Sequence, residues 1–296
     1  MLGVISIVFV ILHLSGNPAL LLAPQNATAH EIHRIEIKLG LNKPLYMQYL
    51  LYLWRLLHGN FGFSYAANEP ALYVVMTRAP YSLVLAGAAM LIALFIGVPM
   101  GLFMAKYKGS TLERILMMFV VAGQSLPAFW TGLLLITLFS VDLHLVPSSG
   151  ASTPQALILP AVTLASVSLA AIARMTRASV LSELHHDYVR TAQAKGVSST
   201  WLFVKHVLRN AAVPIITVIT LELANLLGGA VITETIFAWP GLGQLTVQSV
   251  SSIDIPVVET IVLLGSAVYI GVNFLADVLY TLVDPRIGLG DMRADG

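Results

Sequence analysis

Few side chains here can do chemistry, and most of those are set in the wrong pattern for catalysis. The chain has no cysteine, which removes disulfides, thiolate nucleophiles and thiolate metal ligands together. His30-Glu31-Ile32-His33 places its imidazoles at i and i+3. The zinc-binding H-E-x-x-H pattern needs i and i+4 to bring both nitrogens to one ion. His185-His186-Asp187 falls on the inner face in the topology derived below, and neither cluster is read as a metal site. No Gly-x-Ser-x-Gly elbow occurs, and no Ser/His pairing lies inside an apolar run, so an intramembrane hydrolase lacks its nucleophile. Lys108-Gly109-Ser110-Thr111 lacks the leading glycine and the Gly-Lys order of a phosphate loop. ATP hydrolysis is therefore not expected in this chain. Asn26-Ala27-Thr28 matches a glycosylation sequon, a triplet common by chance.

What remains is a small set of charged and amide groups embedded in apolar sequence. Glu222 interrupts an otherwise uncharged stretch, with Asn225 three residues on. A carboxylate at mid-bilayer costs about 2.5–3.5 kcal/mol on insertion scales, so it must face protein or water. It is either a pathway residue or, more plainly, an inter-subunit hydrogen bond. Glu259 and Asp277 sit near the ends of another stretch, where water is accessible, and read as helix-end or packing residues. Asn273 and Asp277 are one helical turn apart and can bond each other or a neighbouring helix. An ion-coupled carrier would place polar relays in both halves, whereas Glu222 stands alone at its depth.

These residues are positioned by a molecule that lipid must cover. Charged residues are only 10% of the chain and hydrophobic ones 57%, with a mean hydropathy of +0.83. Soluble domains carry roughly 25% charge. The net charge of +1 points to no nucleic-acid partner. Apolar runs long enough for a membrane helix, which needs about 20 residues, occur at 80–105, 115–141, 155–173, 211–232 (interrupted by Glu222) and 257–283 (with Glu259 near one end and Asp277 near the other). Residues 1–14 are apolar but would reach only about 21 Å of a roughly 30 Å core. They lack a basic n-region and an Ala-x-Ala site, and read as the outer part of a first span whose beginning is missing or misassigned. The expected fold is an all-α integral membrane protein with about six transmembrane helices.

Orientation follows the cations. Lys106, Lys108, Arg114, Arg174, Arg177, Arg190, Lys195, Lys205, Arg209, Arg286 and Arg293 fall on one side, taken as cytoplasmic. The loops near 142–153 and 235–256 carry no Lys or Arg, and the C-terminus is placed inside. Three regions follow: 1–74, a first span and outer segment; 75–284, the transmembrane domain; and 285–296, a cytoplasmic tail. In the outer segment, 46–57 has aromatic and leucine residues at helical spacing, suiting an interfacial or packed helix. Gly59-Asn60-Phe61-Gly62 reads as a turn. Gly97 and Gly101 form a GxxxG pair suited to close helix packing.

The inner loop at about 179–210 is the most informative segment. Asp187-Tyr188-Val189-Arg190-Thr191-Ala192-Gln193-Ala194-Lys195 is helix-compatible and ends at Gly196, a natural residue for the left-handed position after a helix. Ser198 or Ser199 can cap a second short helix, held against the membrane by Trp201 and Phe203. Small Ala192 and Ala194 would let a partner approach, and Arg190 and Lys195 can meet acidic groups.

Arg190-Thr191-Ala192-Gln193-Ala194-Lys195-Gly196 followed by His206-Val207-Leu208-Arg209-Asn210 resembles the EAA loop of ABC importer permeases, in its dipeptide/oligopeptide/nickel variant. Arg190 stands where the generic pattern has Glu, and Arg209 where it has Pro. Gly59-Asn60-Phe61-Gly62-Phe63-Ser64 resembles an outer-segment signature of that family, with Asn60 replacing Asp. Gly229 and Glu234-Thr235-Ile236-Phe237-Ala238-Trp239-Pro240-Gly241-Leu242-Gly243 resemble its outer loop after the fifth span. Asn273, Asp277, Tyr280 and Asp284-Pro285-Arg286-Ile287 resemble its C-terminal end.

The resemblance implies a type I ABC importer permease bundle in the inner or cytoplasmic membrane of a prokaryote. Its partners would be a second homologous permease, two ATP-binding subunits that hold ATP and Mg²⁺, and an external substrate-binding protein. Tyr188, Arg190, Thr191, Ala192, Ala194, Lys195, Gly196, His206, Leu208, Arg209 and Asn210 would then couple the spans to the ATPases. The implied cargo is peptide; nickel or another small solute is the alternative within the family.

Overall fold

The computed structural model describes residues 1–14, 19–20, 26–39, 41–64, 66–203 and 207–283. Its helices are α1 (Leu2–Leu14), α2 (Ala29–Leu39), α3 (Leu45–Leu57), α4 (Ala71–Lys106), α5 (Thr111–Ser125), α6 (Ala128–Leu135), α7 (Ile158–Leu184), α8 (Asp187–Ala194), α9 (Ser199–Leu202), α10 (Leu208–Ile236), α11 (Leu242–Ser251) and α12 (Ile255–Val283). A π-helical turn, Ile136–Asp142, extends α6, and a 3-10 turn, Pro154–Leu157, opens α7. Two short strands, β1 (Phe63–Ser64) and β2 (Glu69–Pro70), pair antiparallel with Phe63 opposite Pro70.

Among the described residues, Ala71–Lys106, Pro154–Leu184 and Ile255–Leu275 are each long and apolar enough to cross a membrane. Thr111–Ser125 with Ala128–Asp142, and Leu208–Leu226 with Ala230–Ile236, are bent pairs that reach the same standard together, at 105° and 49°. Leu2–Ile11 is apolar but shorter. The run at 115–141 is thus two helices rather than one. Leu126 precedes Pro127, whose ring pushes it out of the helical region, and Leu126 is extended at φ −85°, ψ 131°. Pro127 then opens α6 as its cap.

The chain divides into two compact units, Met1–Leu83 with Ala238–Ile270, and Val84–Phe237 with the stretch from Gly271. In the first, α3 buries Gln48 and Tyr52. The Gln48 amide donates to the carbonyls of Leu41 (3.2 Å) and Lys43 (2.8 Å), closing the turn before the helix. Tyr49 meets Phe9 edge-on at 5.2 Å and shares a 2.7 Å hydrogen bond with Ser6. The Tyr52 hydroxyl donates to Glu259, and that of Ser64 to Asp254. Glu259 is therefore a packing residue, as its place near a span end suggests. Ala71, Val74, Val75, Leu245 and Val257 form this unit's apolar cluster. Trp239 Nε1 donates to the Tyr81 carbonyl at 3.0 Å.

In the second unit, α7 is the central helix, flanked by α4, α5, α6 and α10. Gly97 and Gly101 turn towards it: a Cβ on Gly101 would lie 2.5 Å from the Ala173 carbonyl oxygen and 2.6 Å from Thr176 Cβ. GxxxG thus does what its spacing suggests, letting two backbones approach where a methyl group has no room. Met104, Val120, Ala170 and Ala173 fill the adjoining cluster. Glu113 accepts from the Ser110-capped turn of α5 through the Gly109 N–H, and from Arg177 of α7, whose Nε lies 2.7 Å away.

Candidate functional site

The inner loop is a folded structure built on its own apolar cluster. Ala105, Val180, Val189, Leu202, Val207, Ala211 and Ile215 are buried together, with Tyr188, Ala192, Val197 and Phe203 packed around them. Residues from α4, α7, α8, α9 and α10 contribute, so the short helices are clamped to the ends of three long ones. On α8 the inward residues Tyr188, Val189 and Ala192 fall at helical spacing, while Arg190, Thr191, Ala194 and Lys195 are exposed. An isolated eight-residue helix is unstable in water, and tertiary packing of this face is what holds it.

The helix begins and ends on local signals. Asp187 sits in its first turn, where a negative charge suits the amino-terminal dipole. At the other end Gly196 adopts φ +78°, and the Val197 N–H donates to the Ala192 carbonyl at 3.2 Å. That six-to-one bond, with Val197 and Ala192 both resting on the cluster, is a Schellman cap. The Tyr188 hydroxyl donates to Glu183 at 2.7 Å and is also bonded by the Asn210 side chain. Burial, then the Glu183 hydrogen bond, holds the Tyr188 phenol above its ordinary range.

The expected face is thus corrected in one respect: Ala192 points into the cluster, and Ala194 is the small residue left on the surface. Trp201 is 46% exposed, while Phe203 packs inward. Leu208 is half-buried, Arg209 and Asn210 are exposed, and His206 lies outside the described residues.

A second polar site lies inside the spans. Ser168 of α7, itself 2% exposed, donates its hydroxyl to Glu222 Oε2 of α10 at 2.7 Å. Glu222 is half-buried and Asn225, three residues on, is exposed. Pairing across 54 residues left no local trace, so Ser168 was not legible beforehand. Of the other signature residues, Glu234 is fully buried and Phe237 is 1% exposed. The Phe237 ring packs against Gly132, where an added Cβ would come within 3.2 Å, and its carbonyl accepts from the Gly150 N–H at 2.8 Å. Gly241 caps α11, Gly243 is buried and Pro240 half-buried. Asn273 is half-buried on α12. Asp284, Pro285 and Arg286 lie outside the described residues, as does the side chain of Asp277. No group of three His, Cys, Asp or Glu side chains able to hold a metal occurs among the described residues.

Comparison with known proteins places this arrangement. Residues 97–289 match the family described as "Binding-protein-dependent transport system inner membrane component", and residues 1–86 match its N-terminal membrane-component family. The glutathione transport system permease protein GsiC of Escherichia coli (strain K12) is 41% identical over 282 residues, covering 95% of this chain and 92% of that protein. The protein of the same name from Salmonella choleraesuis (strain SC-B67) matches over the same length at the same identity. Two inward-facing crystal forms of the MetNI methionine ABC transporter superpose with TM-scores of 0.59 and 0.61, at 19% and 21% identity, covering 71% of this chain and 96% of that chain. An amino acid ABC transporter crystallised with histidines gives 0.55 at 19% identity. At such identities the likeness is one of fold. Membrane-length helices and two family matches spanning most of the sequence lead to one conclusion: the chain belongs to the binding-protein-dependent transport system inner membrane component family, and is a multi-pass permease of an ABC importer.

Proposed function

We propose that this permease carries peptides or peptide-like solutes into the cytoplasm, driven by ATP hydrolysed in separate subunits that grip the α8 loop. A second permease would complete the pathway, two ATP-binding subunits would lie beneath, and an external binding protein would deliver solute. The observation that carries the reading is the two-sided construction of α8. Its inner face is locked to the ends of α4, α7 and α10 through one apolar cluster, and its outer face offers Arg190, Ala194 and Lys195 to a partner. A force applied to that outer face is passed to three long helices rather than absorbed by a loose loop. The relatives named for glutathione, itself a tripeptide, support a peptide-type cargo. The cation distribution supports a cytoplasmic loop and C-terminus.

The test is charge reversal of the surface cations. Arg190→Glu with Lys195→Glu should insert normally, yet lose recovery of the ATP-binding subunits and ATP-driven uptake by at least about tenfold, equivalent to about 1.4 kcal/mol. Full uptake by that variant would contradict the coupling role.

A further inference from the structure

We propose that Glu222, set by Ser168 and flanked by Asn225, is the point in the pathway that meets the ammonium group of the solute. The inference rests on the peptide-type reading above. On α10 the residues Leu221, Asn225, Gly228 and Ile232 recur at four, three and four, a stripe that crosses the 49° bend between Leu226 and Ala230. Leu221 and Ile232 are 53% and 54% exposed, whereas the middle of the stripe is polar or bare. Asn225 is exposed there, and a Cβ on Gly228 would find no atom within 4 Å. The stripe therefore has a shallow notch at mid-helix with apolar shoulders, and Glu222 lies on its flank.

The carboxylate is held rather than satisfied. Ser168, buried behind it, donates to Oε2 at 2.7 Å and fixes its direction. Among the described residues no second donor reaches Oε1, and the side chain is only half-buried. A carboxyl group with spare acceptor capacity is costly against hydrocarbon, so this flank faces protein, water or a polar ligand. An inter-subunit hydrogen bond would need a partner shaped to the notch. A water-filled pathway needs only a passing cation. A primary ammonium, with its three donors, complements one carboxylate oxygen and one amide oxygen a helical turn apart, matching Glu222 and Asn225. The bond would be charge-assisted on both sides yet single, so it would orient a solute without trapping it.

The experiment uses the assembled transporter in vesicles, with its binding protein and ATP. Uptake is read by mass spectrometry from an equimolar mixture of tripeptides and their Nα-acetylated counterparts. The wild type should favour the free-amine set by about tenfold, the worth of one charge-assisted hydrogen bond. Glu222→Gln should bring that ratio close to one, and Glu222→Asp should retain part of the preference. A ratio that survives Glu222→Gln, or an equal fall of both peptide classes, would overturn the proposal and leave Glu222 as an assembly residue. Peptides containing lysine, acetylated only at Nα, separate the two sources of ammonium: their recovery of preference would assign the site to any ammonium, and their failure to the chain terminus. Absence of all peptide uptake in an assembly that still hydrolyses ATP would defeat the peptide reading itself, and this proposal with it.

Discussion

Gly101 has no room for a side chain. The nearest neighbour of an added Cβ is a backbone oxygen, which cannot move without shifting α7. Gly101→Ala should therefore lower stability by about 1–3 kcal/mol, the usual cost of overpacking. It should read as a lower thermal midpoint in detergent, while Gly228→Ala, into open space, should not lower it. Glu31 makes a different residue-level case. Its carboxylate accepts from the backbone and hydroxyl of Thr28, both at 2.8 Å, while Thr28 accepts from the Glu31 N–H at 3.3 Å. This reciprocal box caps α2. The backbone bond, then the hydroxyl, holds the carboxyl below its usual value of 4.5. A depressed pKa means the folded state binds fewer protons, so the cap contributes fully above that value and is lost as pH falls through the lowered one. Hydrogen exchange along 29–39, scaled for intrinsic rates, should show protection falling on acidification in the wild type. Glu31→Gln should be less protected at neutral pH and nearly flat with pH.

Elements show how such residue effects become positions. The α8 loop depends on Gly196, whose φ of +78° a side chain adopts only under strain. Gly196→Ala should loosen the loop by about 1 kcal/mol and Gly196→Pro by more, since proline is confined to φ near −65°. Limited proteolysis between 187 and 200 should quicken in that order, with the spans intact. Ala192→Arg is predicted to damage the loop itself, because Ala192 faces the cluster. Ala194→Arg, on the surface, is the variant that should block a partner while leaving the loop folded. Across α5 and α7, Arg177→Gln strands Glu113, whose side chain is 10% exposed, without its cation. This variant should lower the thermal midpoint in detergent, and Arg177→Lys, which keeps the charge, should lower it less.

How much of this could be read beforehand follows the range of each cause. Hydropathy is local, so the five long apolar runs coincide with three membrane-length helices and two bent pairs. Gly196 was legible because a left-handed position after a helix leaves a one-residue mark. The bend at Leu126–Pro127 was not drawn, although the proline was visible, because an uncharged run reports its length and not its direction. The side that Ala192 faces is not legible from its type, because small size suits both a partner's approach and the tight interior it occupies. Ser168 with Glu222, Arg177 with Glu113 and Tyr52 with Glu259 all join distant segments, and only the fold brings them together.

At the scale of the whole molecule, long helices are tied at one end to a small folded handle, and the central claim is that a separate ATP-binding subunit holds that handle. The natural absence of cysteine gives a direct probe. A single cysteine in place of exposed Lys195, carrying a short photocrosslinker, should join the ATP-binding subunit in the assembled transporter. The same probe at Leu57, 81% exposed in the segment assigned to the outside, should not. Crosslinking at 195 that changes with nucleotide is the predicted result. Failure to crosslink there in a transporter that still takes up solute, or uptake by this chain without any ATP-binding subunit, would contradict the account.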